Sequence, residues 1–236
     1  MSEIVLIHGA WGGSYGFKKL RPLLTAQGHQ VFTPSLTGIG ERSHLVNPSI
    51  TLETHITDVV NTILYEDITD ILLLGFSYGG MVATGALEMI ADRVKHLVYL
   101  DAFVPKDGQS VTQITGRWAT EDSLDPGTKW LIPPVPREAE KLEDTQWFGP
   151  RRSMQPLGTF TQNVTLSKPL EDFPLSRTYI KATADENEKD SSHFWQSARH
   201  ARDSKNWKYF EIPTNHLVAI NRPDELANIL LEIIDE

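Results

Sequence analysis

Gly75-Phe76-Ser77-Tyr78-Gly79 sets a hydroxyl between two glycines, directly after an apolar run and just before a helix-like stretch, Met81 to Ala91. A sharp strand-to-helix turn with only small neighbours lifts a serine Oγ clear of the backbone at the carboxyl end of a sheet. Gly80 adds room for close approach of the helix that follows. Such a hydroxyl attacks a carbonyl only when a base takes its proton, and histidine has the pKa for that exchange near neutrality. Of eight histidines, His216 is best placed, since it follows an apolar run through Pro213-Thr214-Asn215 and precedes the last helix. His29, His44, His55, His96, His193 and His200 read as solvated or capping residues, and His8 as a brace for the loop it begins.

The imidazole needs a carboxylate to hold its tautomer and stabilise the imidazolium formed during reaction. Two aspartates qualify. Asp185, in Ala182-Thr183-Ala184-Asp185, lies just past one apolar run, and Asp101 ends the run His96 to Leu100. Both keep the chain order nucleophile, acid, histidine. Asp185 is favoured, because the acid more often follows the later strand; Asp101 is its rival, with helix capping or loop bracing as its alternative role. A tetrahedral intermediate also requires donors aimed at its oxyanion. The Tyr78 amide is one, and the second is assigned to Ala10 in His8-Gly9-Ala10-Trp11-Gly12-Gly13, with Trp11 the near alternative. That loop lacks both the Gly-x-Gly-x-x-Gly spacing and the lysine of a phosphate cradle.

These residues need a scaffold. Apolar runs recur at Glu3 to Ile7, Gln30 to Thr33, Ile71 to Leu74, His96 to Leu100, Thr178 to Ala182 and Trp207 to Ile212. Their continuous hydrophobicity suits strands buried on both faces. Helical spacing lies between them, most clearly at the end, where Pro223 opens a helix with Asp224 and Glu225 in its first turn and Leu226, Ile229, Leu230, Ile233 and Ile234 on one face. The expected fold is therefore α/β: a doubly wound, mostly parallel sheet with an inserted helical cap. Residues 1–104 and 175–236 form the core domain. Residues 105–174, polar and proline-rich yet carrying Trp118, Trp130, Trp147, Phe148 and Phe160, form the cap, since a structureless loop of that length is improbable. Most of these aromatics should pack the cap down, while Trp130 and Trp147, with Leu217, are expected to line a substrate pocket.

Composition narrows the chemistry. The 236 residues hold no cysteine, which removes disulfides, thiolate metal sites and a cysteine nucleophile, and the net charge of -9 disfavours nucleic acid. No signal peptide or membrane-length apolar run is visible, so a cytoplasmic location, no membrane partner, no metal and no cofactor are expected. A small-molecule ester is the expected partner, and a homodimer stays open.

His8-Gly9-Ala10, Leu36-Thr37-Gly38-Ile39-Gly40-Glu41-Arg42-Ser43, Gly75-Phe76-Ser77-Tyr78-Gly79-Gly80 and Asn215-His216-Leu217 together resemble the α/β-hydrolase superfamily over nearly the whole chain. Within it the sequence is similar to plant salicylate-type methyl esterases, hydroxynitrile lyases and their small bacterial relatives. The resemblance implies a cofactor-free triad of Ser77, His216 and Asp185, oxyanion amides at Ala10 and Tyr78, a cap over an apolar pocket, and Phe103 as a pocket wall. The lyases carry a lysine after the catalytic histidine and a threonine in the oxyanion loop, whereas this chain has Leu217 and Ala10, which favours hydrolysis. Asp101 sits where the esterase relatives tend to have a small residue, and Ser77 excludes the aspartate-nucleophile chemistry of dehalogenase and epoxide-hydrolase relatives. The expected reaction is cleavage of a small hydrophobic or aryl carboxylic ester through an acyl-enzyme, with amides, lactones and thioesters as further substrates. The rivals are a cofactor-free lyase or oxygenase and a small-molecule receptor.

Overall fold

Aliphatic runs become strands where both faces of the peptide are covered, and a computed structural model describes this for residues 1–118, 122, 124–184 and 192–236. In chain order the strands are β1 (Glu3–Ile7), β2 (Gln30–Phe32), β3 (Ile71–Phe76), β4 (Val94–Leu100), β5 (Leu131–Ile132), β6 (Gln155–Pro156), β7 (Ser176–Ala182) and β8 (Lys208–Ile212). The helices are α1 (Leu20–Thr25), α2 (Leu52–Tyr65), α3 (Gly79–Ile90), α4 (Val111–Thr115), α5 (Leu142–Phe148), α6 (Gly158–Thr161), α7 (His193–Asp203), α8 (Val218–Asn221) and α9 (Pro223–Ile234). Six strands form one sheet in the order β2-β1-β3-β4-β7-β8, and every adjacent pair is parallel.

Alternate side chains of each inner strand feed two cores. Val5 and Ile7 of β1, with Leu97 and Tyr99 of β4, pack with Val59, Ile63 and Val82 of α2 and α3. Ile4, Leu6, Val98 and Leu100 face the other way, onto Leu20 and Leu24 of α1 and Leu226 and Leu230 of α9. This double cover is why the strands read as continuous apolar runs rather than alternating ones. Thr51 and Thr54 close a capping box on α2, and Pro223 opens α9 with Asp224 and Glu225 in its first turn.

The inserted segment departs from an all-helical cap. β5 and β6 pair antiparallel, Leu131 opposite Pro156 and Ile132 opposite Gln155, between the short helices α4, α5 and α6. Proline and short spacing favour a two-residue ladder here over longer helices. The segment is also not a separate core: Ile132, Phe160, Val164 and Leu166 join the cluster packed on α2 and α3.

Two histidines read as surface residues are instead buried. His55 is wholly enclosed, donating from Nε2 to the Thr37 carbonyl at 2.8 Å and accepting at Nδ1 from the Tyr78 hydroxyl at 3.0 Å. His96 is buried at the start of β4. Helical spacing places His55 on the same face as Ile56, Val59 and Val60, so its environment follows the helix rather than its polarity. Among the described residues no helix is long and apolar enough to cross a membrane.

Candidate active site

The sheet order reverses between β1 and β3, and their carboxyl-end loops lie side by side at the crevice where open α/β sheets bind ligands. Ser77 directly follows β3 with a positive φ of 55°, a strained geometry tolerated where it presents a functional group. The flanking glycines permit it. A Cβ at Gly75 would lie 2.6 Å from the Gly79 carbonyl oxygen, and one at Gly80 would lie 2.1 Å from that of Phe103. Gly80 thus makes room for the loop after β4 rather than for its own helix.

His216 is carried on the loop after β8. Its Nε2 accepts from Ser77 Oγ at 2.9 Å, and its Nδ1 donates to Asp101 Oδ2 at 2.6 Å. The ring stacks on Phe194 (5.1 Å, 12°) and tilts against Phe76 (4.8 Å). Asn221 and the Leu217 amide bond to Asn215 Oδ1, and Thr214 donates to Glu140, so the loop is tied to the inserted segment.

Of the two aspartates that the sequence offers, the one that meets His216 among the described residues is Asp101. The carboxylate on Nδ1 belongs to Asp101; Asp185 lies outside the described residues. Asp101 follows the last residue of β4, next to the strand that carries Ser77, and its positive φ of 42° marks a sharp turn at the strand's end. Its amide donates to the Ile180 carbonyl while the Ser77 amide donates to Leu100, locking elbow and acid to one sheet edge. Its other oxygen, Oδ1, accepts from Lys181 Nζ at 2.5 Å. Lys181 is only 2 % exposed, also donates to the Ala182 carbonyl, and lies 4.6 Å from the Trp195 ring centroid. This lysine was not read from the sequence as part of the site. Its only sequence signal is a charged residue inside an apolar strand.

Burial pushes the Asp101 pKa up, but the hydrogen bond from His216 and the charges of His216 and Lys181 outweigh it, holding the carboxyl below its ordinary value. Burial pulls the His216 pKa down, Arg137 and Lys181 pull the same way, and Asp101 offsets this only in part, leaving it below the ordinary histidine value. The histidine is therefore neutral at pH 7, as an acceptor of the serine proton must be.

Tyr78 opens α3, so its amide sits at the helix's positive end beside Ser77. In the loop after β1 the Trp11 amide is committed to Gln155 Oε1 at 2.9 Å, which leaves Ala10 as the better-placed of the two candidate donors. Trp11 Nε1 donates to the Ile132 carbonyl, and the Ser153 amide donates to the Trp11 carbonyl. The strands of the inserted hairpin and the residues beside them thereby clamp this loop. His8 braces it: the Leu36 amide donates to Nε2 and Nδ1 donates to the Gly9 carbonyl, with burial lowering its pKa.

Ser77, His216, Ala10 and Tyr78 open onto a cavity of about 700 Å³. Phe103 and Leu217 line it, whereas Trp130 and Trp147 lie away from it. Trp147 packs edge-on to Tyr15, with Arg151 and Lys18 near its ring, and the Trp130 carbonyl accepts from the Leu157 amide. The aromatic wall comes instead from Trp11, Trp118, Phe148, Phe160 and Phe194. Periodicity cannot separate these, because the choice of tryptophan depends on how the inserted segment folds over the sheet.

The sequence model of the alpha/beta hydrolase family matches residues 4–229. A carbendazim hydrolyzing esterase from Nocardioides sp. is 34% identical over 98% of both chains. Salicylic acid-binding protein 2 from Nicotiana tabacum is 26% identical over 98% of this chain and 96% of its own. Among solved structures, an extracellular alpha/beta-hydrolase from a Paenibacillus species superposes with a TM-score of 0.83 at 26% identity, covering 98% of each chain.

Proposed function

The chain belongs to the alpha/beta hydrolase family, and on that premise we propose that it is a serine esterase acting on small hydrophobic or aryl carboxylic esters. The observation that carries this reading is the line of hydrogen bonds from Asp101 through His216 to Ser77, 2.6 and 2.9 Å long, at the floor of an aromatic cavity. The carbendazim-hydrolysing activity named for one relative supports ester chemistry at this site.

In the proposed reaction Ser77 Oγ bonds to the ester carbonyl carbon while its proton passes to His216 Nε2. The carbonyl oxygen takes up the electron pair and is held by the Ala10 and Tyr78 amides, whose fixed orientation costs no reorganisation. As the tetrahedral centre collapses, the alkoxide leaves with the proton from His216. Water then attacks the acyl-serine with His216 again as base, and Ser77 is regenerated with release of the acid. Asp101 holds Nδ1–H throughout and offsets the charge of the imidazolium.

A fluorophosphonate tests this reading directly. It is expected to label Ser77 covalently, and Ser77→Ala is expected to lose both labelling and hydrolysis of 4-nitrophenyl butyrate. Turnover by protein that is not labelled would sink the acyl-enzyme mechanism.

A further inference from the structure

An oxyanion hole built from two amides on different loops works only at one separation of the donors. The ladder that joins their strands does not set it here, because the register of β1 on β3 ends at Ile7 opposite Gly75, short of both Ala10 and Tyr78. Trp11, which shares a peptide unit with Ala10, has a positive φ of 59°, a conformation that a bulky residue keeps only where its surroundings hold it.

A chain of buried polar groups runs between the two loops. The Trp11 amide donates to Gln155 Oε1 at 2.9 Å, and Gln155 Nε2 donates to Thr159 Oγ1 at 2.7 Å. The Thr159 hydroxyl, which also meets the Pro156 carbonyl at 2.6 Å, bonds to the Tyr78 hydroxyl. Tyr78 in turn donates to His55 Nδ1, whose ring is fixed on the Thr37 carbonyl. Gln155, Thr159, Tyr78 and His55 are all 0 % exposed. Phe160, next to Thr159 on α6, packs between the same two residues, with its ring 5.6 Å from those of both Trp11 and Tyr78. Neither Gln155 nor Thr159 lines the reactive cavity. Buried polar pairs add little stability over apolar groups of the same shape, but they fix orientation.

We propose that Gln155 and Thr159 are positioning residues that set the separation and aim of the Ala10 and Tyr78 amides, acting through Trp11 on one side and the Tyr78 hydroxyl on the other. This rests on the esterase reading above and adds residues outside the cavity on which the reaction depends. Acylation and deacylation both build charge on the carbonyl oxygen, so a displaced donor slows them together: kcat falls, while KM, which depends on their ratio, stays.

The test measures 4-nitrophenyl butyrate hydrolysis in variants of the chain. Gln155→Met is expected to lower kcat about tenfold with KM within about twofold, Tyr78→Phe and Thr159→Val to lower it less, and Thr159→Ser, which keeps the hydroxyl, to stay near wild type. Inhibition by 1,1,1-trifluoro-2-octanone, whose adduct with Ser77 carries an oxyanion, is expected to weaken in step with kcat/KM, while 2-octanone, which forms no such charge, keeps its inhibition constant. The double variant Gln155→Met/Tyr78→Phe is expected to lose less than the product of the single losses, since both changes cut one chain. A wild-type kcat in Gln155→Met, a loss confined to KM, equal weakening of the two ketones, or multiplicative losses in the double variant overturns the proposal. Should Gln155→Met fail to fold, Thr159→Val against Thr159→Ser still decides, and equal rates in those two overturn it. No turnover and no fluorophosphonate labelling of Ser77 in the wild type reject the esterase reading itself, and the positioning role with it.

Discussion

Asp101 concentrates the electrostatics of the site, for each of its oxygens has a different partner. Asp101→Asn keeps the shape but offers the wrong hydrogen-bonding pattern to Nδ1, so kcat is expected to fall by roughly 10⁴ with little change in KM. The same assay on Asp185→Asn gives the comparison: a loss of similar size there, with Asp101→Asn near wild type, would return the acid role to Asp185. Lys181→Met leaves Asp101 buried with one oxygen unpaired, for which a loss of about 3 kcal/mol or more is expected in urea denaturation. It also removes a charge that lowers the His216 pKa. The sign follows directly. His216 must be neutral to act as base, so the acid limb of kcat/KM in the wild type is expected below 6.5 and should move to higher pH in Lys181→Met. A pH–rate profile of the two proteins on a neutral ester checks both positions.

At the scale of elements, the site is assembled by closeness between loops rather than by any one motif. Gly80→Ala would push a methyl into the Phe103 carbonyl, a contact of backbone on backbone that no rotamer relieves, and a loss of roughly 3 kcal/mol in thermal or urea unfolding is expected. The six strands of the parallel sheet were legible to within two residues, because β1, β3, β4 and β7 are covered on both faces and therefore unbroken in hydrophobicity, whereas β5 and β6 were not read. Ser77 and His216 were legible too, since each follows a strand and precedes a helix. The acid was not. Asp101 and Asp185 both follow strands and both satisfy the chain order, and only the neighbour relation of β4 to β3 separates them. The pocket tryptophans were illegible for a related reason. Trp118 and Trp130 differ little in local pattern, and it is the β5–β6 pairing, two residues long, that decides where the inserted chain runs.

For the molecule as a whole, four histidines among the described residues are buried: His8 in the loop after β1, His55 inside α2, His96 in β4 and His216 in the site. Burial lowers all four pKa values, that of His55 to about 3. The unfolded chain binds protons at these positions below about 6.5 while the folded chain does not, so stability is retained above that pH and lost as pH falls through it. His55, whose folded pKa lies near 3, contributes a slope of up to about 1.4 kcal/mol per pH unit as pH falls from about 6.5 toward that value, and the other buried histidines act in the same direction. Urea midpoints measured from pH 7 to pH 5 are therefore expected to fall steeply, and His55→Gln to flatten the decline; a wild-type midpoint constant over that range would contradict the account. The tie between Trp11 and the residues Gln155, Ile132 and Ser153 has a consequence for how such a protein can be re-engineered. Its inserted segment is not an interchangeable module, because the loop that carries Ala10 is braced by His8 at its start but held at Trp11 by that segment. A chimera that imports another segment to change the substrate must import matching anchors for Trp11, or it will acquire a new pocket above a disarmed nucleophile.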